Sequence, residues 1–188
     1  MKHTKKREKI NNQGLTLIEL IVTIAIIGIF GVVVMSFVTS GANFYRQASD
    51  TSTVQRSMQM TLDQIENLVI DTNKSISYSV GGQATQSDLG SQDSQEKILI
   101  LESVQGENTQ HKEILKWNPD EKKLYCNYNS DRTTDMKVMA ENISAFSADI
   151  SQAVSDGSVR FQITIQKRNK EMTQTYTVTL RNQLGADS

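Results

Sequence analysis

A long apolar segment near the N-terminus constrains this chain more than any other feature. From Leu15 to Val38, Glu19 is the only charged residue. In helical form the segment extends over roughly 36 Å, which is enough to cross the hydrocarbon core of a bilayer. An acidic side chain within such a segment is energetically costly unless it has a partner. The sequence therefore predicts a transmembrane helix in which Glu19 needs a compensating group.

A short basic segment precedes the apolar one. It carries five bases and one acid, namely Lys2, Lys5, Lys6, Arg7, Lys9 and Glu8. This excess of positive charge favours a cytoplasmic N-terminus. An ordinary secretory signal has its small-residue cleavage site after the apolar core. Here the candidate glycine, Gly14, lies before the core, so cleavage at this point leaves the apolar helix in the mature protein.

A seven-residue motif joins the two segments: Gly14-Leu15-Thr16-Leu17-Ile18-Glu19-Leu20. Together with the Lys/Arg leader it resembles the class III signal of type IV prepilins and pseudopilins. The resemblance implies cleavage after Gly14 by a prepilin peptidase, N-methylation of the new terminus at Leu15, and a role for Glu19 in assembly. The sequence departs from major pilins at Ser36, where these usually carry a proline.

Cleavage after Gly14 creates an α-amine on Leu15, one helical turn from Glu19. An ammonium and a carboxylate that meet in hydrocarbon compensate each other's loss of hydration. Our hypothesis is that Glu19 pairs with the Leu15 amine of a neighbouring subunit during assembly. The alternative is a plain single-pass anchor that tolerates one acid near its end.

The helix is expected to continue beyond the membrane segment. Apolar or small residues recur every three or four positions, as in an amphipathic helix: Phe44, Ala48, Thr51, Val54, Met58, Leu62, Ile65 and Val69. The predicted division is a leader at 1–14, a transmembrane or filament-core helix at 15–38, an amphipathic helix at 39–72, and a soluble β-rich head at 73–188.

Period-two patterns beyond the helix predict strands. A first strand is expected at 75–80, a central strand covered on both faces at 98–101, a hairpin at 112–128 around Asn118-Pro119-Asp120-Glu121, and a last hairpin at 159–180 closed by 168–171. The polar segment 81–95 has almost nothing to bury and predicts a mobile surface loop. Residues 138–150 fit either a strand or a short helix.

These elements predict an α+β fold in which the 44–69 stripe packs on one mostly antiparallel sheet. The arrangement resembles the pilin fold. The element order, the segment from Met139 to Phe146 and the ending Leu180-Arg181-Asn182 are also similar to J-type minor pseudopilins of type II secretion and to related minor pilins.

The residues give no sign of catalysis, a cofactor or a metal. His3 lies in the leader, and His111 lies in a polar run that suggests a solvated loop. The single cysteine, Cys126, cannot form an internal disulfide and is expected in the core rather than as a reactive thiol. Trp117 and the nearby tyrosines predict core packing, with an exposed face for a filament partner as the alternative.

The expected function is therefore that of a minor pilin or pseudopilin in a type IV pilus, a competence pseudopilus or a type II secretion-like filament, and not an enzyme. The resemblance implies prepilin peptidase, other pilin subunits, the inner-membrane assembly platform and membrane lipid as partners. Without the leader the chain carries fifteen bases and twenty acids, so direct nucleic-acid binding is not expected. The alternative is a membrane-anchored extracytoplasmic binding domain that does not polymerise.

Overall fold

A computed structural model of the chain describes residues 16–91, 94–105, 109–128 and 135–185. Its contacts group into two units, one ending at Gln47 and the other beginning at Ala48. Gly14, Leu15 and the leader lie outside the described residues.

One helix, α1, covers Leu17–Val69. At its start the Oγ1 of Thr16 accepts a hydrogen bond from the backbone N–H of Glu19, at 3.4 Å. Thr16 therefore acts as the N-cap, and the acidic Glu19 in the first turn is favourably placed in the field of the helix dipole. At the other end the N–H of Thr72 bonds the carbonyl of Val69 at 3.1 Å. The predicted long helix is confirmed.

Within the described residues, nine antiparallel strands follow the helix and form two sheets. The first sheet has the order β2-β1-β3-β4-β5-β6, and the second has the order β7-β8-β9. The strands are β1 Ser75–Val80, β2 Gln83–Thr85, β3 Lys97–Gln105, β4 Thr109–Asn118, β5 Lys123–Asn127, β6 Lys137–Glu141, β7 Ile143–Asp149, β8 Ser158–Lys167 and β9 Lys170–Thr179. The α+β class is confirmed, but the single sheet predicted from the sequence is in fact two.

The last hairpin is the clearest sequence prediction and is confirmed. In β8 the alternate residues Val159, Phe161, Ile163 and Ile165 are all buried. Lys167 pairs with Lys170, so the loop between the strands has two residues, fewer than the predicted four. The hairpin at 112–128 is likewise confirmed by the pairing of β4 with β5.

Packing of α1 in the second unit begins later than the predicted stripe. Val54, Met58, Leu62, Ile65 and Val69 are buried in a core shared with both sheets. Phe44 and Ala48 are exposed and Thr51 is half-buried. The three-to-four spacing identifies the face of a helix, but it does not show where along the helix the packing partners start.

The segment 138–150 is two strands rather than one strand or a helix. Asn142 separates β6 from β7 with a φ of 64°. Asparagine tolerates this left-handed backbone better than most residues, which lets the chain leave one sheet and enter the other. The Asn142 carbonyl also accepts the N–H of Gln166 at 2.9 Å. The spacing of apolar residues along the chain does not reveal a break of one residue.

For 81–95 the predicted surface position is confirmed, because most of the described residues are exposed, but the prediction of a loop throughout is wrong. β2 pairs with β1, and Ser87 forms a bridge with Asp149. The Asp88 N–H donates to the Ala148 carbonyl at 3.1 Å.

For the apolar run at 98–101, the prediction of a strand covered on both faces is wrong. Leu99 and Leu101 on one face are buried, whereas the alternate Ile98 and Ile100 are half-buried.

Candidate membrane and assembly segment

The first part of α1 presents a continuous apolar surface. Every residue from Thr16 to Ser49 is exposed. Large aliphatic and aromatic side chains dominate from Leu17, which is 79% exposed, to Phe37, which is 74% exposed. Burial of each such side chain is worth about 1.5–3 kcal/mol. An aqueous surrounding is therefore strongly unfavourable for this surface, and it requires lipid or other apolar helices.

The polar hydroxyls within this segment are satisfied by the helix itself. Thr23 donates to the Glu19 carbonyl at 2.6 Å, Ser36 to the Val32 carbonyl at 3.0 Å, and Thr39 to the Met35 carbonyl at 2.9 Å. Each hydroxyl thus reaches the carbonyl four residues earlier. These side chains bring no unpaired hydrogen-bond donor into an apolar environment, so they are compatible with burial in lipid.

The helix has the length and composition of a membrane span. Its most apolar stretch has no residue buried within the structure. Gly28, Gly31 and Gly41 have open space around the position that a Cβ would take. Small residues of this kind allow close approach of a second helix.

Glu19 is the predicted site residue that the structure describes. Its side chain is exposed in the first turn of α1, where its backbone N–H is capped by Thr16. The structure gives no contact between Glu19 and Leu15, because Leu15, like Gly14, lies outside the described residues. The charged partner of Glu19 therefore stays a prediction.

The head holds a buried ionic cluster that the sequence analysis missed. Lys97 of β3 and Asp88 form an ion pair whose side chains are 2% and 7% exposed. The hydroxyl of Tyr78 donates to Asp88 Oδ1 at 2.9 Å, and Lys97 Nζ donates to the Phe146 carbonyl at 2.7 Å. Burial, followed by the charge of Asp88, raises the pKa of Tyr78, which keeps its hydroxyl protonated.

One signal could have pointed to this cluster. Lys97 directly precedes the apolar run at 98–101 and has the strand parity of Leu99 and Leu101, so its side chain belongs on the buried face. A lysine on that face requires an acidic partner. Glu96, Asp93 and Glu102 are nearer to Lys97 in sequence than Asp88 is, so strand parity indicates the need for a partner but does not identify it.

Other residues singled out in the sequence occupy structural positions. Cys126 is buried, as predicted, and burial raises the pKa of its thiol. Trp117 is buried and donates its indole N–H to the Ile143 carbonyl at 3.0 Å. Tyr128 is 51% exposed. His111 lies in β4 opposite Ser103, so its predicted placement in a loop is wrong.

Within the described residues, no group of three or more His, Cys, Asp or Glu side chains could hold a metal ion. The features of the structure that call for a partner are the exposed apolar helix and the acid at its start.

Comparison with known families places a recognised motif at this point of the chain. Residues 9–38 match the prokaryotic N-terminal methylation motif. The match covers the end of the basic leader, the Gly14-Leu15 junction and the apolar start of α1. It supports the pilin and pseudopilin family, processing by prepilin peptidase, and a structural subunit rather than an enzyme. No curated protein and no solved structure matches the chain.

Proposed function

We propose that this chain is a minor pilin or pseudopilin, a structural subunit of a type IV pilus, a competence pseudopilus or a type II secretion-like filament. The observation that carries the proposal is the coincidence of two features. The methylation motif at residues 9–38 overlaps the first part of α1, in which every apolar side chain from Leu17 to Val38 is exposed. Because the cleavage site lies before the apolar helix, cleavage by the peptidase leaves that helix in the mature subunit.

The exposed helix suits a subunit that moves from lipid into a polymer. In the membrane its apolar side chains contact acyl chains, and in a filament core they contact the equivalent helices of other subunits. Both surroundings keep the surface out of water, so the transfer has a small net cost. The assembly platform and its partners supply the work, and the subunit supplies the complementary helix surface.

Glu19 contributes selectivity to this transfer. Its carboxylate is exposed at the start of α1, where the mature terminus generated by cleavage after Gly14 would carry a positive charge on Leu15. Pairing between the Glu19 carboxylate of one subunit and the Leu15 amine of its neighbour removes two unpaired charges from the apolar core. Such pairing also fixes the axial offset between adjacent helices.

Two features favour a minor over a major subunit. At Ser36 the helix continues with a hydroxyl bonded to the Val32 carbonyl, whereas major pilins usually have a proline there. The chain has a single cysteine, and Cys126 is buried, so it cannot form the internal disulfide found in many major pilins. The proposed location is the cell membrane with a cytoplasmic N-terminus, followed by the extracytoplasmic filament.

Intact-mass analysis of the membrane-extracted chain tests the proposal. Co-expression with an active prepilin peptidase should remove residues 1–14, with or without one added methyl group on Leu15. Gly14→Ala should block cleavage. Gly28→Ala adds the same methyl group at an open helical position and serves as the matched control, which should be cleaved normally.

A chain that keeps its leader in the presence of the active peptidase would contradict the proposal. That outcome would favour the alternative of a membrane-anchored extracytoplasmic domain that does not polymerise. A processed chain that never enters filaments would separate the two parts of the proposal, because processing and polymerisation would then be independent.

A further inference from the structure

The Asp88–Lys97 pair combines close contact with an incomplete set of hydrogen bonds. Lys97 Nζ lies beside Asp88 Oδ2, yet this buried oxygen accepts no hydrogen bond from the residues that the structure describes. Nζ donates instead to the Phe146 carbonyl at 2.7 Å. A buried ion pair needs good geometry and additional hydrogen bonds to offset its desolvation. An amide between the two side chains would keep the Phe146 carbonyl as the acceptor of the Nζ hydrogen and would remove the oxygen that has no hydrogen bond.

The surroundings of Asp88 Oδ1 differ from those of Oδ2. Oδ1 accepts one hydrogen bond from the Tyr78 hydroxyl and another from the Ala148 N–H, both at 2.9 Å. Two donors on one carboxyl oxygen draw electron density from the carboxyl carbon. They are also positioned to stabilise negative charge on that oxygen during attack by a nucleophile, as the donors of an oxyanion hole do.

We propose that Lys97 and Asp88 condense to an intramolecular isopeptide bond. One proton passes from the Lys97 ammonium to Asp88 Oδ2, which converts the buried ion pair into an amine and a carboxylic acid. The Nζ lone pair then attacks the carboxyl carbon of Asp88. Charge develops on Oδ1, where Tyr78 and Ala148 donate their hydrogen bonds.

The second half of the reaction forms the amide. The carbon–Oδ2 bond breaks, and Oδ2 leaves with two protons as water, the second of which comes from Nζ. The new amide keeps one hydrogen on Nζ for the Phe146 carbonyl, and its oxygen keeps the donors of Tyr78 and Ala148. Nothing is oxidised or reduced. A groove of about 430 Å³ that includes Lys97, Ser147 and Thr164 in its lining offers the released water a route to solvent.

The consequence is a covalent link between the segment after β2 and the first residue of β3. Asp88 also bonds Ala148 of β7, so the link lies where the two sheets meet. The side chains of Lys97 and Asp88 are only 2% and 7% exposed, so the charged pair has lost most of its hydration, and this favours the uncharged amide over the ion pair.

Tryptic digestion of the full-length, detergent-extracted chain, followed by mass spectrometry, tests the proposal directly. In the free chain trypsin cuts after Lys74, Lys97 and Lys112 and gives peptides 75–97 and 98–112. An amide on Lys97 blocks the middle cut. We expect one peptide spanning 75–112, lighter than the linear sequence by one water molecule, with fragment ions that join Asp88 to Lys97.

Three comparisons sharpen the test. Lys97→Arg keeps the positive charge and the trypsin site but lacks the amine nucleophile, so it should restore two peptides of full mass. Tyr78→Phe removes one donor to Oδ1 and should lower the cross-linked fraction. The more solvent-accessible pair of Lys116 and Glu96, with a nitrogen–oxygen distance of 2.6 Å, is an internal control that should remain uncondensed.

The result from the unsubstituted chain decides the matter whether or not the variants fold. Recovery of 75–97 and 98–112 at full mass would overturn the proposal and leave an ordinary ion pair. Loss of water with normal cleavage after Lys97 would overturn it too, since that pattern indicates a cyclic imide on an aspartate rather than a link to the lysine.

Discussion

The guanidinium Nη1 of Arg168, in the β8–β9 loop, lies 3.2 Å from the Asp50 carboxylate on α1. Arg168 also has a φ of 53°, in the left-handed region that costs a residue with a side chain about 1–2 kcal/mol. The residue thus combines an ion pair with a strained turn. Because Arg168 is 69% exposed, the ion pair itself is expected to contribute little.

The first prediction separates these two effects with a pair of variants. Arg168→Ala loses the ion pair and keeps the unfavourable backbone, whereas Arg168→Gly loses the ion pair and relieves the backbone. The glycine variant should therefore be more stable than the alanine variant by about 0.5–1 kcal/mol, after the entropy of glycine in the unfolded chain is included. Chemical unfolding in detergent, followed by the fluorescence of the single tryptophan, measures the difference.

Equal stability of the two variants would mean that the left-handed conformation at Arg168 costs no more than the extra entropy of glycine in the unfolded chain. A large loss in both would mean that the Asp50 ion pair matters more than an exposed pair should. The first result concerns the backbone conformation of Arg168, and the second concerns its ion pair with Asp50.

The second prediction concerns the face of α1 that packs in the head. Met58 is fully buried, whereas Met60, two residues later, is 52% exposed. Met58→Ala should lower the free energy of unfolding by about 2–5 kcal/mol because it leaves a cavity in the core. Met60→Ala is the matched control, and its effect should remain within about 0.5 kcal/mol. Chemical unfolding followed by tryptophan fluorescence distinguishes them, and similar losses in both variants would contradict the assigned helix face.

Features that depend on local pattern were predictable from the sequence. The β8–β9 hairpin follows from alternation between Val159 and Ile165, and the helix follows from apolar spacing around Met58. Both signals involve residues close together in the chain. The apolar composition of the first part of α1, which begins at Leu17, was accessible for the same reason.

Features that depend on contacts between distant residues were not predictable. Asp88 is buried because Tyr78, Lys97 and Ala148 surround it, and no rule of local polarity shows that environment. The exchange of sheets at Asn142 depends on a single backbone dihedral. A polar composition predicts a loop, but tertiary partners can bury polar residues when they satisfy their hydrogen bonds.

The third prediction concerns pH. A hydrogen bond from Lys112, then one from Ser75, lowers the pKa of Glu102, and the charge of Lys74 acts in the same direction. Because the folded-state pKa lies below the unfolded value, the stabilisation is present above the unfolded pKa of about 4.3 and is lost as pH falls through the folded value. Glu102→Gln should therefore reduce stability at neutral pH by about 0.5–1 kcal/mol, given the partial exposure of this group.

The difference between the native chain and Glu102→Gln should shrink as the medium is acidified below the ordinary range of a glutamate. Unfolding curves at neutral and acid pH give this difference directly. A difference that stayed constant or grew in acid would show that the carboxylate charge is not the source of the stabilisation.

The fourth prediction concerns Cys126. Burial raises the pKa of its thiol, which disfavours the reactive thiolate, and the side chain is only 3% exposed. Alkylation in native detergent solution should be slower than in denaturant by a factor of roughly 100 or more, since it requires local opening. Mass spectrometry of timed samples gives both rates. Rapid labelling of the folded chain would contradict the core position of this residue.

The last prediction concerns the acid at the start of α1. Glu19→Ala should still be cleaved after Gly14, because the glycine and the leader are unchanged, but it should enter filaments poorly. Without the carboxylate, the Leu15 ammonium of the neighbouring subunit is left without a partner in the apolar core, at a cost of about 3–5 kcal/mol. Incorporation should therefore fall by more than roughly tenfold, since each 1.4 kcal/mol is a factor of ten.

Thr23→Ala is the matched control, because Thr23 lies one turn from Glu19 and its hydroxyl donates a hydrogen bond within the helix, to the Glu19 carbonyl. This variant should assemble normally. Glu19→Asp should enter filaments better than Glu19→Ala, because it keeps the negative charge. Immunoblots of sheared filaments and of membranes separate assembly from processing. If Glu19→Ala assembled as well as Thr23→Ala, the charge on Glu19 would have no part in joining subunits, and the helix surface alone would have to specify their offset.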